Sequence, residues 1–340
     1  MQNLRPFQKQ ALQALLSPKN RHVICVSPTG SGKTRIIEEW VRKTKKKTLF
    51  ISPLLALNRQ QQQRFQDKKL NQWIDIKTPE SLFGLDFRSD VLVYDQVVVD
   101  ECHTVFEWGE TFRPKLRELP SLFANKKTLW LTATLTQKHS EKLIGELGVH
   151  TELIGEFSFS KSISIQTLSI PWSARLEFIR MMSEEYLRLG VIFCNSREWC
   201  ERIQSYLKAR GLNVIYYHAG LSKEERAIVE RKVQNGEVSL LVSTIAFGLG
   251  MHVPEIKWGM SWGFPGSFLS LSQMIGRVGR SDEGGRFYFL WSHEDELVWR
   301  RKNGKTESSQ NDYVRLISGL KKKISLKEII ESEFRFVQKQ

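Results

Sequence analysis

The feature that most constrains the fold of this chain is a strand, a glycine-bearing loop and a helix in direct succession, HVICVSPTGSGKTRIIEEW at residues 22–40. The two glycines allow backbone N–H groups to close around phosphates at the amino end of the helix. Lys33 can then reach the terminal phosphates, and the Thr34 hydroxyl can ligate magnesium. Ser27 occupies the position of the usual first glycine of this pattern. The predicted nucleotide-contacting residues of the loop are Thr29, Gly30, Ser31, Gly32, Lys33 and Thr34.

A second segment, VVVDECH at residues 97–103, places two adjacent carboxylates at the end of a buried strand. Ligands of open α/β sheets bind outside the carboxyl ends of such strands. Asp100 is predicted to hold magnesium through its water shell, and Glu101 to orient and deprotonate an attacking water. Thr132 and Thr134, which end the strand LWLTATLT, could link these carboxylates to the second half of the chain. We therefore predict nucleotide hydrolysis at this edge of the sheet.

Aromatic residues follow the acid pair at once, in the segment FEWGETFRP. Phe106, Trp108 and Phe112 are side chains suited to stacking on bases. The chain also carries 51 Lys+Arg against 37 Asp+Glu, a net charge of +14. Such a balance favours a polyanionic partner over an acidic protein or a neutral metabolite. The two features together predict contact with nucleic acid beside the hydrolysis site.

Polar residues elsewhere in the first half fit the same site with less specificity. Gln8, beside Arg5 at the start of a helix over residues 4–16, can pair with both the donor and the acceptor on the edge of adenine. A surface glutamine at a helix start is the alternative. Ser52 and Thr78 can each hold a nucleic-acid phosphate, or each can simply cap a helix.

The second half repeats the strand, turn and helix pattern after a serine-rich connector at residues 155–170. VIFCNSREWCERIQSYLKARG and NVIYYHAGLSKEER are two such repeats, and they predict a second parallel α/β sheet. Polar residues follow the predicted strands, where they are either ligand contacts or ordinary turns. These residues are Asn195, Ser196, Arg197, His218 and Thr244.

Two further segments of the second half point to the nucleotide. Gly248 and Gly250 allow the backbone to approach a ligand closely. QMIGRVGRSDEGG contributes Gln273, Arg277 and Arg280, and its two arginines are spaced to share one helical face. From such a face they can reach across an interlobe cleft to the γ-phosphate and stabilise charge in the transition state. A solvated basic helix is the alternative.

Cysteine usage and hydropathy exclude several classes of protein. Four cysteines lie in separate contexts without a CxxC pair, so we expect neither a disulfide framework nor structural zinc. The first residues lack a basic segment followed by an apolar core, and no apolar run approaches the ~18 residues of a membrane span. The predicted protein is a monomeric, cytoplasmic enzyme, associated with the nucleoid if it is prokaryotic.

The order of these motifs resembles that of superfamily 2 helicases, and more narrowly that of the RecQ family of DNA helicases. The narrower resemblance depends above all on FEWGETFRP, which looks like the aromatic-rich loop peculiar to that family, and it extends over roughly residues 4–290. The other matching segments are LRPFQ at 4–8, SPTGSGKT at 27–34, ISPLLAL at 51–57, DECH at 100–103 and LTAT at 131–134.

The resemblance implies two tandem RecA-like lobes, each with a parallel sheet, that bind magnesium-ATP. It implies movement from 3′ to 5′ on single-stranded, tailed or forked DNA, in DNA repair or recombination. Trp108, Phe112 and Arg113 would couple single-stranded DNA to the ATP site, and His103 would carry the signal between the lobes. The strand-end residues of the second half would contact the DNA backbone, and Arg280 would be the arginine finger.

The expected domains are residues 1–155 for the first lobe, 156–298 for the second and 299–340 for a short basic helical tail. This tail either tracks DNA phosphates or packs on a lobe. RecQ relatives usually carry a four-cysteine zinc module and a winged helix, but no cysteine follows Cys200 here. Two alternatives therefore stay open: an RNA helicase, and an ATP-gated clamp or translocase that does not unwind.

Overall fold

The structure, a computed structural model, divides the chain into two compact units. The first lobe contains residues up to Ser158 together with Phe334, and the second lobe contains Phe159–Glu333. The description covers residues 4–28, 30–53, 55–82, 91–107, 114–155, 157–159, 162–186, 188–245, 247, 255–279, 283–301 and 307–335.

The first lobe is built on a parallel six-stranded sheet with the order β3-β2-β4-β5-β1-β6. Its strands are β1 His22–Val26, β2 Thr48–Ile51, β3 Ile74–Lys77, β4 Gln96–Val99, β5 Lys127–Thr132 and β6 Thr151–Gly155. Its helices are α1 Pro6–Leu16, α2 Lys33–Thr44, α3 Leu55–Asp67, α4 Thr104–Glu107, α5 Leu119–Leu122 and α6 Gln137–Leu147, with short 3₁₀ turns at Pro79–Leu82, Val91–Val93 and Pro114–Glu118.

Burial on both faces explains why the strands of this sheet read as continuous apolar runs. In β1, Ile24 and Val26 pack into one apolar cluster, while Val23 and Cys25 pack into the cluster on the other face. A parallel sheet covered by helices on both sides requires this pattern. Because all six strands run in one direction, their ends form a carboxyl edge and an amino edge.

The second lobe has its own parallel six-stranded sheet, with the order β7-β12-β11-β8-β10-β9. Its strands are β7 Ile163–Ser169, β8 Gly190–Phe193, β9 Val214–Tyr217, β10 Leu240–Ser243, β11 Trp258–Ser261 and β12 Gly285–Trp291. Its helices are α7 Trp172–Glu185, α8 Arg197–Lys208, α9 Lys223–Gln234, α10 Phe268–Ile275, α11 His293–Arg301, α12 Glu307–Lys321 and α13 Leu326–Glu333. The predicted α/β class with two parallel sheets is therefore confirmed.

The C-terminal helices α12 and α13 are part of the second lobe, which is one of the two alternatives that the sequence left open for this segment. They bury Tyr313, Leu316 and Ile330, and the backbone N–H of Phe268 at the start of α10 donates to Asp312 Oδ2 at 3.0 Å. Apolar burial thus fixes these helices against the lobe despite the basic composition of the segment. No helix within the described ranges is long and apolar enough to cross a membrane.

Candidate nucleotide and nucleic-acid site

The loop between β1 and α2 has the geometry that its sequence predicts for a phosphate-binding loop. Gly30 and Gly32 adopt positive φ angles of 78° and 89°, a conformation that favours glycine. Helix α2 begins directly afterwards at Lys33, whose Nζ donates to the carbonyl oxygens of Ser27 at 2.8 Å and Pro28 at 3.2 Å. The ammonium group and the amino end of α2 are therefore held at the same loop. Thr29 lies outside the described residues.

Gln8 is buried against this loop from α1, and its side chain is already fully engaged. Its Nε2 donates to the carbonyl oxygens of Gly32 at 2.9 Å and Ser31 at 3.3 Å, and its Oε1 accepts from the Arg5 backbone N–H at 2.9 Å. The Arg5 guanidinium donates to the same Ser31 carbonyl at 3.0 Å. Both residues therefore brace the phosphate loop, and contact with adenine stays a prediction that requires these bonds to rearrange.

Gln8→Ala separates the two roles of this side chain. Removal of the bonds to the loop is expected to raise the KM for ATP about tenfold, since each net hydrogen bond contributes about 0.5–1.5 kcal/mol. If the role is bracing, the KM for GTP rises by the same factor; a larger rise for ATP than for GTP would instead show adenine contact. Gln10→Ala, an exposed position of the same helix, is the control, and KM values that match it would contradict both roles.

The acid pair lies at the carboxyl edge, directly after β4. The Asp100 backbone N–H donates to the Ile51 carbonyl at 2.8 Å, and Asp100 Oδ1 accepts from the Glu101 N–H at 3.1 Å. Burial, reinforced by the charge of Glu101, raises the pKa of Asp100 to about 7, while the Lys33 ammonium opposes this rise. A half-buried carboxylate that needs a nearby positive charge to ionise suits a cation site.

His103 connects the acid pair to β5. Its Nδ1 lies 2.9 Å from Thr132 Oγ1 and 3.3 Å from Glu101 Oε2. The single proton of the Thr132 hydroxyl goes to the Thr134 carbonyl at 2.9 Å, so the His103 Nδ1 must carry the proton and donate. Thr132 therefore connects His103 to β5 inside the first lobe, and the link from these hydroxyls to the second half of the chain stays a prediction.

Phe106 is a core residue, which corrects the expectation that its ring stacks on bases. Its side chain is 1% exposed and stacks on the His139 ring at a centroid distance of 4.8 Å, and the Arg117 guanidinium lies 4.8 Å from the ring centroid. Helix α4 turns the ring inward because apolar burial competes with display at the surface. His139 was not found from the sequence, since nothing in its segment signals a stacking partner. Trp108, Phe112 and Arg113 lie outside the described residues.

Ser52 and Thr78 also differ from the DNA-contacting roles predicted for them. Ser52 is fully buried after β2, and its backbone N–H donates to the Lys77 carbonyl at 3.2 Å. Its hydroxyl is buried as well and has no hydrogen-bond partner among the described residues. The Thr78 carbonyl accepts from both the N–H and the Oγ of Ser81, which places Thr78 at the start of a 3₁₀ turn. Thr78 therefore has the local role of an ordinary turn residue.

Three predicted residues of the second lobe follow β8 at its carboxyl end. Asn195 Nδ2 donates to the Phe264 carbonyl at 2.9 Å, and Ser196 caps α8 by accepting from the Trp199 N–H at 3.2 Å. Arg197 is exposed at the first position of that helix. The strand-to-helix turn thus explains Ser196 by capping alone, while Asn195 and Arg197 present polar groups at the surface.

His218 is buried, and both of its ring nitrogens form hydrogen bonds inside the second lobe, which corrects its predicted DNA contact. Its Nδ1 accepts from the Gly220 N–H at 3.2 Å, so Nε2 carries the proton and donates to Glu201 Oε1 at 3.0 Å. Thr244 follows β10 as predicted, and its backbone N–H donates to the Tyr217 carbonyl at 3.3 Å.

The arginine-containing segment does not form one helical face. Gln273 lies in α10, but this helix ends at Ile275, and Val278 pairs with Ile256 in an isolated β-bridge. Arg277 therefore lies in a turn, because Gly276 caps the helix and the following residues return to the sheet. Arg280, Gly248 and Gly250 lie outside the described residues.

A magnesium ion bound with a nucleotide fits the groups at the carboxyl edge of the first lobe. Magnesium in such sites takes one or two protein oxygens and completes its shell with phosphate and water. Thr34 and Asp100 supply a hydroxyl and a carboxylate, and Thr34 Oγ1 accepts from Gln61 Nε2 at 3.5 Å. Over the described ranges, no three His, Cys, Asp or Glu side chains group together as a self-contained metal site.

Comparison with known proteins agrees with this arrangement. Residues 5–90 match the family model described as DEAD/DEAH box helicase, and residues 175–282 match the helicase conserved C-terminal domain. The chain is 28% identical over 329 residues to the ATP-dependent DNA helicase RecQ of Pasteurella multocida (strain Pm70). The match covers 86% of this chain and 52% of that protein. It therefore spans about half the length of that relative.

Solved structures share the fold at low sequence identity. The Mycobacterium smegmatis helicase Lhr bound to single-stranded DNA and AMP-PNP has a TM-score of 0.68 at 20% identity, covering 99% of this chain and 49% of that one. Mss116p (NTE and C-tail double deletion) bound to single-stranded RNA and AMP-PNP has the same TM-score and the same identity, covering 89% of this chain and 72% of that one. The chain has two RecA-like lobes, matches both helicase family models and is matched over 86% of its own length by a RecQ relative. It therefore belongs to the RecQ family of superfamily 2 helicases.

Proposed function

We propose that this protein is an ATP-dependent DNA helicase or translocase that moves from 3′ to 5′ on single-stranded DNA and unwinds duplexes in repair or recombination. The observation that carries the proposal is the placement of Lys33 after β1 and of Asp100 and Glu101 after β4, at the same edge of the first sheet. A cation at a helix amino end beside two carboxylates is the arrangement that phosphoryl transfer to water requires.

Each residue of this edge has a distinct task in the proposed reaction. Lys33 and the amino end of α2 bind the terminal phosphates, and Thr34 and Asp100 hold magnesium. The magnesium ion supplies neutralisation of phosphate charge. Glu101 orients the attacking water and accepts its proton. The His103 Nδ1, which donates to Thr132 Oγ1, lies 3.3 Å from Glu101 Oε2.

Further contributions are proposed for the second lobe and the aromatic segment. Gln273, Arg277 and Arg280 stabilise charge in the transition state, with Arg280 as the arginine finger. Trp108, Phe112 and Arg113 couple single-stranded DNA to hydrolysis by stacking and phosphate contact. We propose that the enzyme acts as a monomer in the cytoplasm.

DNA is the proposed partner because the Pasteurella relative is named a DNA helicase and matches most of this chain. RNA is the second candidate, because the Mss116p structure with bound RNA has the same TM-score as the Lhr structure with bound DNA. The fold alone therefore does not select between the two nucleic acids.

ATP hydrolysis measured with matched DNA and RNA strands tests the proposal, and we expect DNA to give the stronger stimulation. Strand displacement is then measured on duplexes with a 3′ tail, a 5′ tail or a fork, and we expect activity on the 3′-tailed and forked substrates. Stronger stimulation by RNA would favour an RNA helicase. DNA-stimulated hydrolysis without displacement of any substrate would favour a translocase or clamp.

A further inference from the structure

The amino edge of the first sheet, opposite the proposed nucleotide site, collects basic residues from three separate strands. The register pairs His22 with Thr128, and both Thr48 and Lys127 with Gln96, so β1, β2 and β5 begin at the same edge. Basic residues come directly before or at each of these starts. We call this surface the amino-edge face, and define it by Arg21, Lys45, Lys46, Lys47, Lys126 and Lys127.

Two of these ammonium groups are held in place without being neutralised. Lys127 Nζ donates to the Ser17 carbonyl at 2.7 Å, and Lys126 Nζ donates to the Tyr94 carbonyl at 2.7 Å. A neutral carbonyl fixes the position of an ammonium group but leaves its charge in place. Over the described part of the chain, no carboxylate forms an ion pair with either group.

Acidic residues on this edge compensate little of the charge. Asp95 Oδ2 accepts from the Lys47 backbone N–H at 3.0 Å, and Asp75 lies 4.0 Å from Lys47 Nζ, at the limit of an ion pair. Burial lowers the pKa of Lys127, and the nearby positive charge of Lys46 lowers this pKa further. The surface therefore keeps a net positive charge and some mutual repulsion.

Three arginines elsewhere in the first lobe, in contrast, lie close to carboxylates. Arg35 lies 3.0 Å from Glu39, Arg64 lies 2.6 Å from Glu38, and Arg117 lies 2.7 Å from Glu146. Within the described residues, the Lys126 and Lys127 ammonium groups thus differ from these three arginines, because their acceptors are neutral carbonyls. Like charges that repel are stabilised by an anion that binds across them.

The shape of the surface favours an extended anion over a compact one. The basic residues precede β2, β5 and β1, and the strand order β2-β4-β5-β1 separates the outer two by three strand spacings, about 14 Å. We propose that the amino-edge face binds the phosphate backbone of nucleic acid, as a contact separate from the carboxyl-edge site. This inference rests on the proposed function, because it adds a second contact to a nucleic-acid-dependent ATPase.

Two matched lysine runs in the chain allow a test by charge removal. The first variant, Lys45→Asn with Lys46→Gln and Lys47→Gln, removes three charges from the amino-edge face. The control, Lys321→Gln with Lys322→Gln and Lys323→Asn, removes three charges at the carboxyl end of α12. Lys45 and Lys323 both have positive φ, 50° and 59°, so asparagine is tolerated equally at the two sites.

Fluorescence anisotropy with single-stranded and duplex DNA is measured over a range of salt concentrations. For single strands, we expect the first variant to reduce the slope of log K against log salt by about 2, since each phosphate contact contributes about 0.7. The control is expected to keep the wild-type slope, and both variants should keep wild-type basal ATPase activity and thermal melting. A wild-type slope for the first variant, or an equal reduction in the control, would overturn the inference.

Two other outcomes distinguish this inference from the proposed function. If the wild-type protein binds DNA and DNA stimulates its hydrolysis, but the first variant shows the same salt dependence of DNA binding as the wild type, the inference is wrong and the proposed function stands. If the wild-type protein binds no nucleic acid, both are wrong. Loss of polyglutamate binding in the first variant, with DNA binding unchanged, would assign the surface to an acidic protein and overturn the inference.

Discussion

Glu101→Gln is expected to reduce DNA-stimulated ATP hydrolysis by at least about 100-fold while leaving nucleotide binding in place, because general-base catalysis contributes roughly 10²–10⁴-fold. Glutamine has the shape of glutamate and fits beside His103, whose Nδ1 lies 3.3 Å from the present carboxylate. It cannot accept a proton from water. The change therefore removes the base and preserves the packing around it.

Steady-state hydrolysis and equilibrium binding of a fluorescent ATP analogue measure the two effects separately. Glu141→Gln, an exposed position on α6, makes the same chemical change away from the site and should behave as wild type. Hydrolysis by Glu101→Gln at the wild-type rate would remove Glu101 from the reaction. Loss of binding together with hydrolysis would show that Glu101 has a structural role instead.

Asp295→Ala is expected to destabilise the second lobe by about 3–5 kcal/mol, the range for breaking a buried ion pair by removing one partner. The Arg175 side chain is fully buried, and its guanidinium pairs with Asp295 through both terminal nitrogens. The remaining donors go to the Ile170 carbonyl at 2.9 Å, to the Trp262 carbonyl and to Ser292 Oγ at 3.2 Å. Without Asp295, a buried positive charge keeps only neutral acceptors.

The same carboxylate also organises an aromatic cluster next to the ion pair. Trp172 Nε1 donates to Asp295 Oδ1 at 2.9 Å, and the ring of Trp199 contacts both Trp172 and Trp262 at centroid distances of 5.8 and 4.8 Å. Tryptophan fluorescence during urea denaturation therefore reports directly on this region. Loss of Asp295 should weaken the indole contacts as well as the charge balance.

Two comparison variants define how the Asp295 result is interpreted. Glu283→Ala removes an exposed carboxylate that pairs with Arg188 at 3.1 Å and with Lys257 at 2.6 Å. The denaturation midpoint should change little, because solvent screens such pairs. Asp295→Asn keeps an acceptor for Arg175 and should fall between wild type and Asp295→Ala. If Asp295→Ala unfolds at the same urea concentration as Glu283→Ala, the ion pair does not hold the lobe together.

The sequence by itself determined the elements whose signals are local. The glycine loop before Lys33 requires positive φ angles, which glycine adopts without strain, so the loop conformation followed from residue type. The apolar runs before Asp100 and Asn195 predicted buried parallel strands, because a sheet covered on both faces needs apolar side chains on both. The two-lobe fold and the edge that carries the acid pair followed from these runs.

Only the tertiary structure decided which way individual side chains face and what they contact. Phe106, Ser52 and His218 have residue types suited to nucleic acid, yet all three are buried within the lobes. The end of α10 before Arg277 and the packing of α12 and α13 likewise depend on contacts with distant segments. Such contacts form between residues far apart in the chain, so no local pattern encodes them, and the uncompensated charge of the amino-edge face appears only when three strands are aligned.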